Sequence, residues 1–218
     1  MPKLWLHEVQ YMSLFITFEG IEGSGKTTQI TLLKKALQKK GYSVLMTREP
    51  GGTMIGDQIR EVLLKRQNKK LVPLAELLLY EASRAQHVQE KIQPALKKKK
   101  IVISDRYSDA TTVYQGVARS LSTDLTDKLN RIATENLKPH LTLVLDCPVQ
   151  MGLGRVLKRT SSSHLDRIEQ EKISFHQKVR QGYLRLAKKE PRRVKVIDAS
   201  GTASQIHGDI LKQVLKKI

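Results

Sequence analysis

The chain has 218 residues and carries 39 Lys+Arg against 21 Asp+Glu, a formal net charge of +18, with 39% hydrophobic and 5% aromatic residues. That apolar fraction excludes a disordered chain and the length fits one globular domain, while no apolar run approaches the roughly 20 residues a membrane-spanning helix needs. The basic residues fall in short runs such as Lys34-Lys35, Lys97 to Lys100 and Lys216-Lys217, scattered and without interleaved aromatics, which argues against a nucleic-acid surface. A single cysteine, Cys147, has no partner for an internal disulfide, and the first 13 residues lack the pattern of a secretory signal, so the expected compartment is the cytoplasm.

Taken in chain order, residues 1–12 read as an N-terminal extension and 13–218 as a single domain. Short apolar, β-branched runs at Leu14 to Phe18, Ser43 to Thr47, Ile101 to Ser104, Leu141 to Asp146 and Val194 to Ile197 are predicted strands. Helical periodicity predicts helices over Lys26 to Lys40, Ile55 to Lys65, Leu74 to Lys97, Asp124 to Asn136, Val149 to Arg159, Ile168 to Lys189 and Ala203 to Lys217. Strands alternating with helices imply right-handed crossovers, hence an α/β fold with a parallel five-stranded sheet covered by helices on both faces. In such sheets ligands sit beyond the carboxyl ends of the strands.

Directly after the first strand, Gly20-Ile21-Glu22-Gly23-Ser24-Gly25-Lys26-Thr27 fits G-x-x-x-x-G-K-[ST]. Glycines let backbone N–H groups turn around an anion, and the following helix N-terminus adds positive potential. Lys26 is placed to bridge β- and γ-phosphates and the Thr27 hydroxyl to ligate Mg²⁺. Glu22 is an unusual residue beside phosphates and hints at a second ligand, the alternative being a solvated loop carboxylate. No guanine-selecting N-K-x-D follows, so a switch GTPase is excluded. The third strand instead ends in Asp105-Arg106, a carboxylate and a guanidinium at the ligand edge, which suits phosphoryl transfer unless the two merely pair with each other. The histidines show no metal-ligand spacing, and no nucleophile elbow accompanies them.

Several motifs in order give the chain a resemblance to the bacterial thymidylate kinase family: Gly20 to Thr28, Thr47 to Thr53, Arg84-Ala85-Gln86-His87, Asp105-Arg106-Tyr107 with Tyr114-Gln115-Gly116, and Leu165-Asp166-Arg167-Ile168-Glu169. The resemblance covers nearly everything after Met12. It implies a three-layer P-loop NTPase fold, ATP with Mg²⁺ and dTMP as substrates, and a homodimer. Carried over, it places Glu22 on the sugar 3′-hydroxyl, Tyr80 stacked on thymine where the family commonly has Phe, and Arg48, Arg60, Arg84 and Arg106 around the dTMP phosphate. Thr111 and Gln115 match positions that read the thymine edge, with Ala110 where Ser is common, and Glu49, Pro50 and Tyr114 complete the acceptor pocket. Lys26, Asp105 and Arg106 are the implied catalytic groups, and Gly20 to Thr28 the ATP phosphate loop. Family members without an arginine in that loop resemble those that supply it from a lid, here 154–167 with its serine run, which makes Arg155 and Arg159 the candidates. Two other readings stay open: a kinase of another nucleoside or nucleoside monophosphate, or a basic P-loop ATPase acting on nucleic acid.

Overall fold

The computed structural model of the protein describes residues 13–159 and 165–218; the expected extension 1–12 and the serine run, within 160–164, lie outside the described residues. The chain begins with β1 (Leu14–Glu19), every residue of it buried, and passes through the glycine loop into α1 (Lys26–Lys39). Next come β2 (Val44–Arg48), α2 (Met54–Leu64) and α3 (Pro73–His87), which runs through a π-helical turn, Val88–Ile92, into α4 (Gln93–Lys97). β3 (Ile101–Asp105) leads into α5 (Ser108–Thr111), a second π-helical segment, Thr112–Ala118, and α6 (Thr123–Thr134). The chain closes with β4 (Leu141–Asp146), α7 (Val149–Arg159), α8 (Ile173–Lys189), β5 (Val194–Asp198) and α9 (Ala203–Leu215).

All strand pairs are parallel and the sheet order is β2-β3-β1-β4-β5, so β1 is central and the chain crosses over it between β3 and β4. Ile16 stands beside Ile103 on one flank and Leu141 on the other. Period-two alternation divides β1: Leu14, Ile16 and Phe18 join the large core with Leu33 and Leu37 of α1 and Ile206 and Ile210 of α9. Phe15 joins a smaller cluster with Val88, Ile92, Val102 and Tyr107. Each strand ends in a charged residue, Glu19, Arg48, Asp105, Asp146 or Asp198, and these line one edge of the sheet.

The structure departs from the expected helices in three places. The single helix expected over Leu74 to Lys97 is broken at Val88–Ile92 because Pro94 has no N–H to donate and its ring crowds the carbonyl four residues back. The helix expected from Ile168 starts at Ile173, because the Asp166 carboxylate accepts from the N–H groups of Ile168 and Glu169, both at 2.8 Å, and holds a turn there. Helical structure over Ser108–Ala118, with no counterpart in the periodicity, brings Tyr114 and Gln115 inward.

Candidate active site

The loop after β1 owes its shape to glycine. Gly23 and Gly25 have φ of 69° and 93°, values that side chains resist, and a Cβ on Gly23 would run into the Gly152 carbonyl of α7. Gly25 is the N-cap of α1 without a side-chain cap, so the first-turn N–H groups remain directed at the loop mouth. Lys26 Nζ folds back on the loop, donating to Ile21 O at 2.8 Å and Gly20 O at 3.1 Å. Burial and the nearby Arg106 guanidinium lower its pKa to about 8 against the pull of Asp105, Glu22 and Glu19. Thr27 Oγ1 donates to Asp105 Oδ2 at 3.3 Å, joining the loop to the end of β3.

One cavity of about 390 Å³ opens here and carries most of the expected residues. The loop gives it Glu22, Gly23, Gly25, Lys26, Thr27 and Thr28; β2 and the turn after it give Arg48, Glu49 and Pro50. Arg60, Tyr80, Asp105, Arg106, Ala110 and Tyr114 also line it, as do Arg155 and Arg159 of α7 together with Asp166 and Glu169. Gly20, Ile21 and Ser24 belong to the same loop but lie beneath the lining. Arg48 pairs with Asp57 at 3.1 Å, and Arg60 donates to Pro50 O at 2.9 Å. Arg155 donates to Ala199 O and Arg159 to Glu169 Oε1, both at 3.2 Å.

Arg106 organises the centre. Its φ is 73°, a left-handed conformation for a residue with a side chain, fixed in part by its N–H donating to Phe18 O at 2.9 Å. It does not pair with its neighbour Asp105. Its guanidinium instead donates to Glu22 Oε1 at 2.8 Å and Tyr183 Oη at 3.3 Å, and lies over the Tyr114 ring. Tyr114 Oη donates to the same Glu22 oxygen at 2.8 Å. Glu22 is therefore an enclosed, bonded carboxylate and not a solvated one. Burial alone would raise it, but Arg106, His176 and Lys26 outweigh that and hold it well below the usual carboxylate range.

Arg84, Thr111 and Gln115, also expected here, are buried and lie outside the lining of this cavity. Arg84 is 2% exposed, and its donors go to Glu49 Oε2 (2.8 Å), Glu81 Oε1 (2.5 Å), Thr111 Oγ1 (2.8 Å), Asn130 Oδ1 (3.1 Å) and Tyr107 O (3.1 Å). Held by these five acceptors and almost wholly buried, Arg84 acts as a strut beneath Glu49. His87 completes the strut, its ring lying between Glu49 Oε1 (3.0 Å) and Thr47 Oγ1 (2.6 Å). Gln115 turns away to Glu76, a fully buried carboxylate that also pairs with Arg119 and Arg167.

Sequence reasoning missed Glu19, His176, Tyr183 and Gly152. Glu19 closes β1 and accepts from Tyr183 Oη at 2.6 Å and the Tyr107 N–H at 2.9 Å. Burial and the Asp109 carboxylate push it up to about 8 despite Arg106. A carboxylate between a buried strand and a phosphate loop is the signal that could have found it; nothing in the spacing points to His176 or Tyr183, which approach from α8.

A glycine loop on the central strand of a β2-β3-β1-β4-β5 parallel sheet, opening onto an arginine-and-carboxylate pocket, defines a P-loop phosphotransferase with an acceptor site of its own. Comparison with known proteins narrows this. Residues 18–210 match the thymidylate kinase family, so the chain belongs to the thymidylate kinase family. It is 55% identical over 198 residues to the thymidylate kinase of Syntrophotalea carbinolica, covering 89% of this chain and 92% of that one. It is 51% identical over 208 residues to that of Pelobacter propionicus, covering 94% and 95%. The crystal structure of thymidylate kinase from Ehrlichia chaffeensis superposes with a TM-score of 0.75 at 35% identity, over 93% of this chain and 99% of that chain.

Proposed function

We propose that the chain transfers the γ-phosphoryl group of ATP to dTMP, giving dTDP, in the cytoplasm and as a homodimer. The observation that carries this reading is the continuity of one cavity from Lys26 and Thr27 to Arg106, Glu22 and Tyr80, so that a donor phosphate and an acceptor phosphate can meet in it. Lys26 leaves its carbonyl partners to bridge the β- and γ-phosphates, and the negative charge it meets there restores its proton affinity. ATP comes with Mg²⁺, which neutralises charge on the transferring phosphates; Thr27 Oγ1 and Asp105 Oδ2 are the oxygen donors that fit it and would hold it.

On the acceptor side, Arg106, Arg48 and Arg60 clamp the dTMP phosphate while Tyr80 stacks on the base. Arg84, buried and outside the lining, is left out of that clamp. Glu22 receives the sugar 3′-hydroxyl. Arg155 and Arg159 of α7 line the cavity and bring positive charge to the transferring group. Catalysis is then positioning and charge, with water kept out so that ATP is not hydrolysed.

Exposed Met54, Ile55 and Val62 on α2 with Leu74 and Leu78 on α3 support a second copy on that face. Among the described residues no helix is long and apolar enough to cross a membrane, and Cys147 is a buried free thiol. ATP labelled in its γ-phosphate tests the reaction: the label should pass to dTDP, and its release as inorganic phosphate in the presence of dTMP would overturn the reading.

A further inference from the structure

His176 lies in α8 with no exposed surface and does not line the cavity. Its Nδ1 stands 3.2 Å from Glu22 Oε2, yet the approach is off the hydrogen-bond line. Among the described residues, neither ring nitrogen nor that carboxylate oxygen has another hydrogen-bond partner. Phe175 lies edge-on to the ring at 5.6 Å. Two buried polar groups left unsatisfied and facing one another are costly apart, and a small turn of the imidazole satisfies both.

A carboxylate offers about four lone-pair sites. Arg106 and Tyr114 fill the two on Glu22 Oε1. We propose that His176 is a positioning residue for the acceptor: its Nδ1–H holds Glu22 Oε2 from behind and so fixes the carboxylate that meets the acceptor's sugar hydroxyl. This rests on the reading of Glu22 as the group that meets that hydroxyl. His176 touches no substrate and acts through Glu22. Without it the carboxylate keeps its charge and its bonds to Arg106 and Tyr114, but is free to turn away from the acceptor.

The test compares dTMP with its 3′-deoxy analogue as acceptors for wild type and for His176→Phe, His176→Asn and His176→Gln. The amide nitrogen of Asn falls near the place of Nδ1, that of Gln near Nε2, so the two polar variants separate the ring positions even if the Phe variant folds poorly. Wild type should prefer dTMP; His176→Phe and His176→Gln should shrink that preference about ten-fold, mostly through the KM for dTMP, and His176→Asn should restore most of it. Equal losses on both acceptors, or Asn and Gln behaving alike, would overturn the inference and leave His176 a packing residue. If wild type does not distinguish the acceptors, the reading of Glu22 fails and the inference with it, a result distinct from the others.

Discussion

Gly152→Ala sets two effects of opposite sign against each other. Gly152 is a buried position of α7, and replacing a helical glycine by alanine ordinarily gains about 0.5–1 kcal/mol. Its Cβ, however, would lie 2.6 Å from the Glu22 carbonyl and 2.9 Å from Ile21 Cδ1, so helix and loop must part by about 0.8 Å to reach ordinary contact. Overpacking of that kind costs about 1–3 kcal/mol, so the clash wins. The residue pushed aside is in the phosphate loop itself, and a displacement approaching 1 Å there is of the order that costs about 10²-fold. The expected outcome is a fall of about 10- to 100-fold in kcat/KM for ATP together with a lowered melting temperature. Gly154, two residues on, would meet nothing within 4 Å of an added Cβ and serves as the control. Gly154→Ala should raise the melting temperature by about 1–4 °C and leave turnover within about two-fold. Full activity in Gly152→Ala, with the same gain in stability as the control, would refute the account of the α7–loop contact.

Three further outcomes follow from the site. With Lys26 lowered to about 8 by burial and Arg106, its charged form is lost as pH rises through that value, so kcat/KM for ATP should be about ten-fold lower at pH 9 than at pH 7.5, and a level profile would contradict the assignment. Arg106→Ala removes the partner of Glu22 and the proposed phosphate ligand together, so steady-state kinetics should show a higher dTMP KM and a kcat reduced about 10²-fold or more; unchanged kinetics would remove Arg106 from the clamp. Glu76→Ala strips a 1% exposed carboxylate from Arg119 and Arg167, and chemical denaturation should show a loss of about 3 kcal/mol or more.

The strands and the phosphate loop were legible because each has a local signature: a β-branched apolar run, and glycines at fixed spacing before Lys26-Thr27. Strand ends were less so, since Glu19, Arg48 and Asp105 extend β1, β2 and β3 by one charged residue whose pairing depends on a neighbouring strand. The segment Ser108–Ala118 gave no helical period because its inward groups, Thr111, Tyr114 and Gln115, are bonded or stacked to distant residues. Arg84 shows the limit of motif reasoning. Its position in the chain suggests a ligand, and only the convergence of Glu49, Glu81, Tyr107 and Asn130 from four separate segments shows where its donors go. The same long-range convergence hid His176 and Tyr183, which reach Glu22 and Glu19 from more than 150 residues away in sequence.

The central claim is that one cavity couples the ATP phosphate loop to a thymidylate pocket. Its most direct measurement is the rate of ADP formation from ATP and Mg²⁺ with dTMP, dUMP, dCMP, UMP, AMP or no acceptor at one shared concentration. Rapid turnover with dTMP, slower turnover with dUMP and almost none without acceptor is the expected result. A preference for another acceptor would contradict the pocket, and ADP formation independent of any acceptor would contradict the transfer itself.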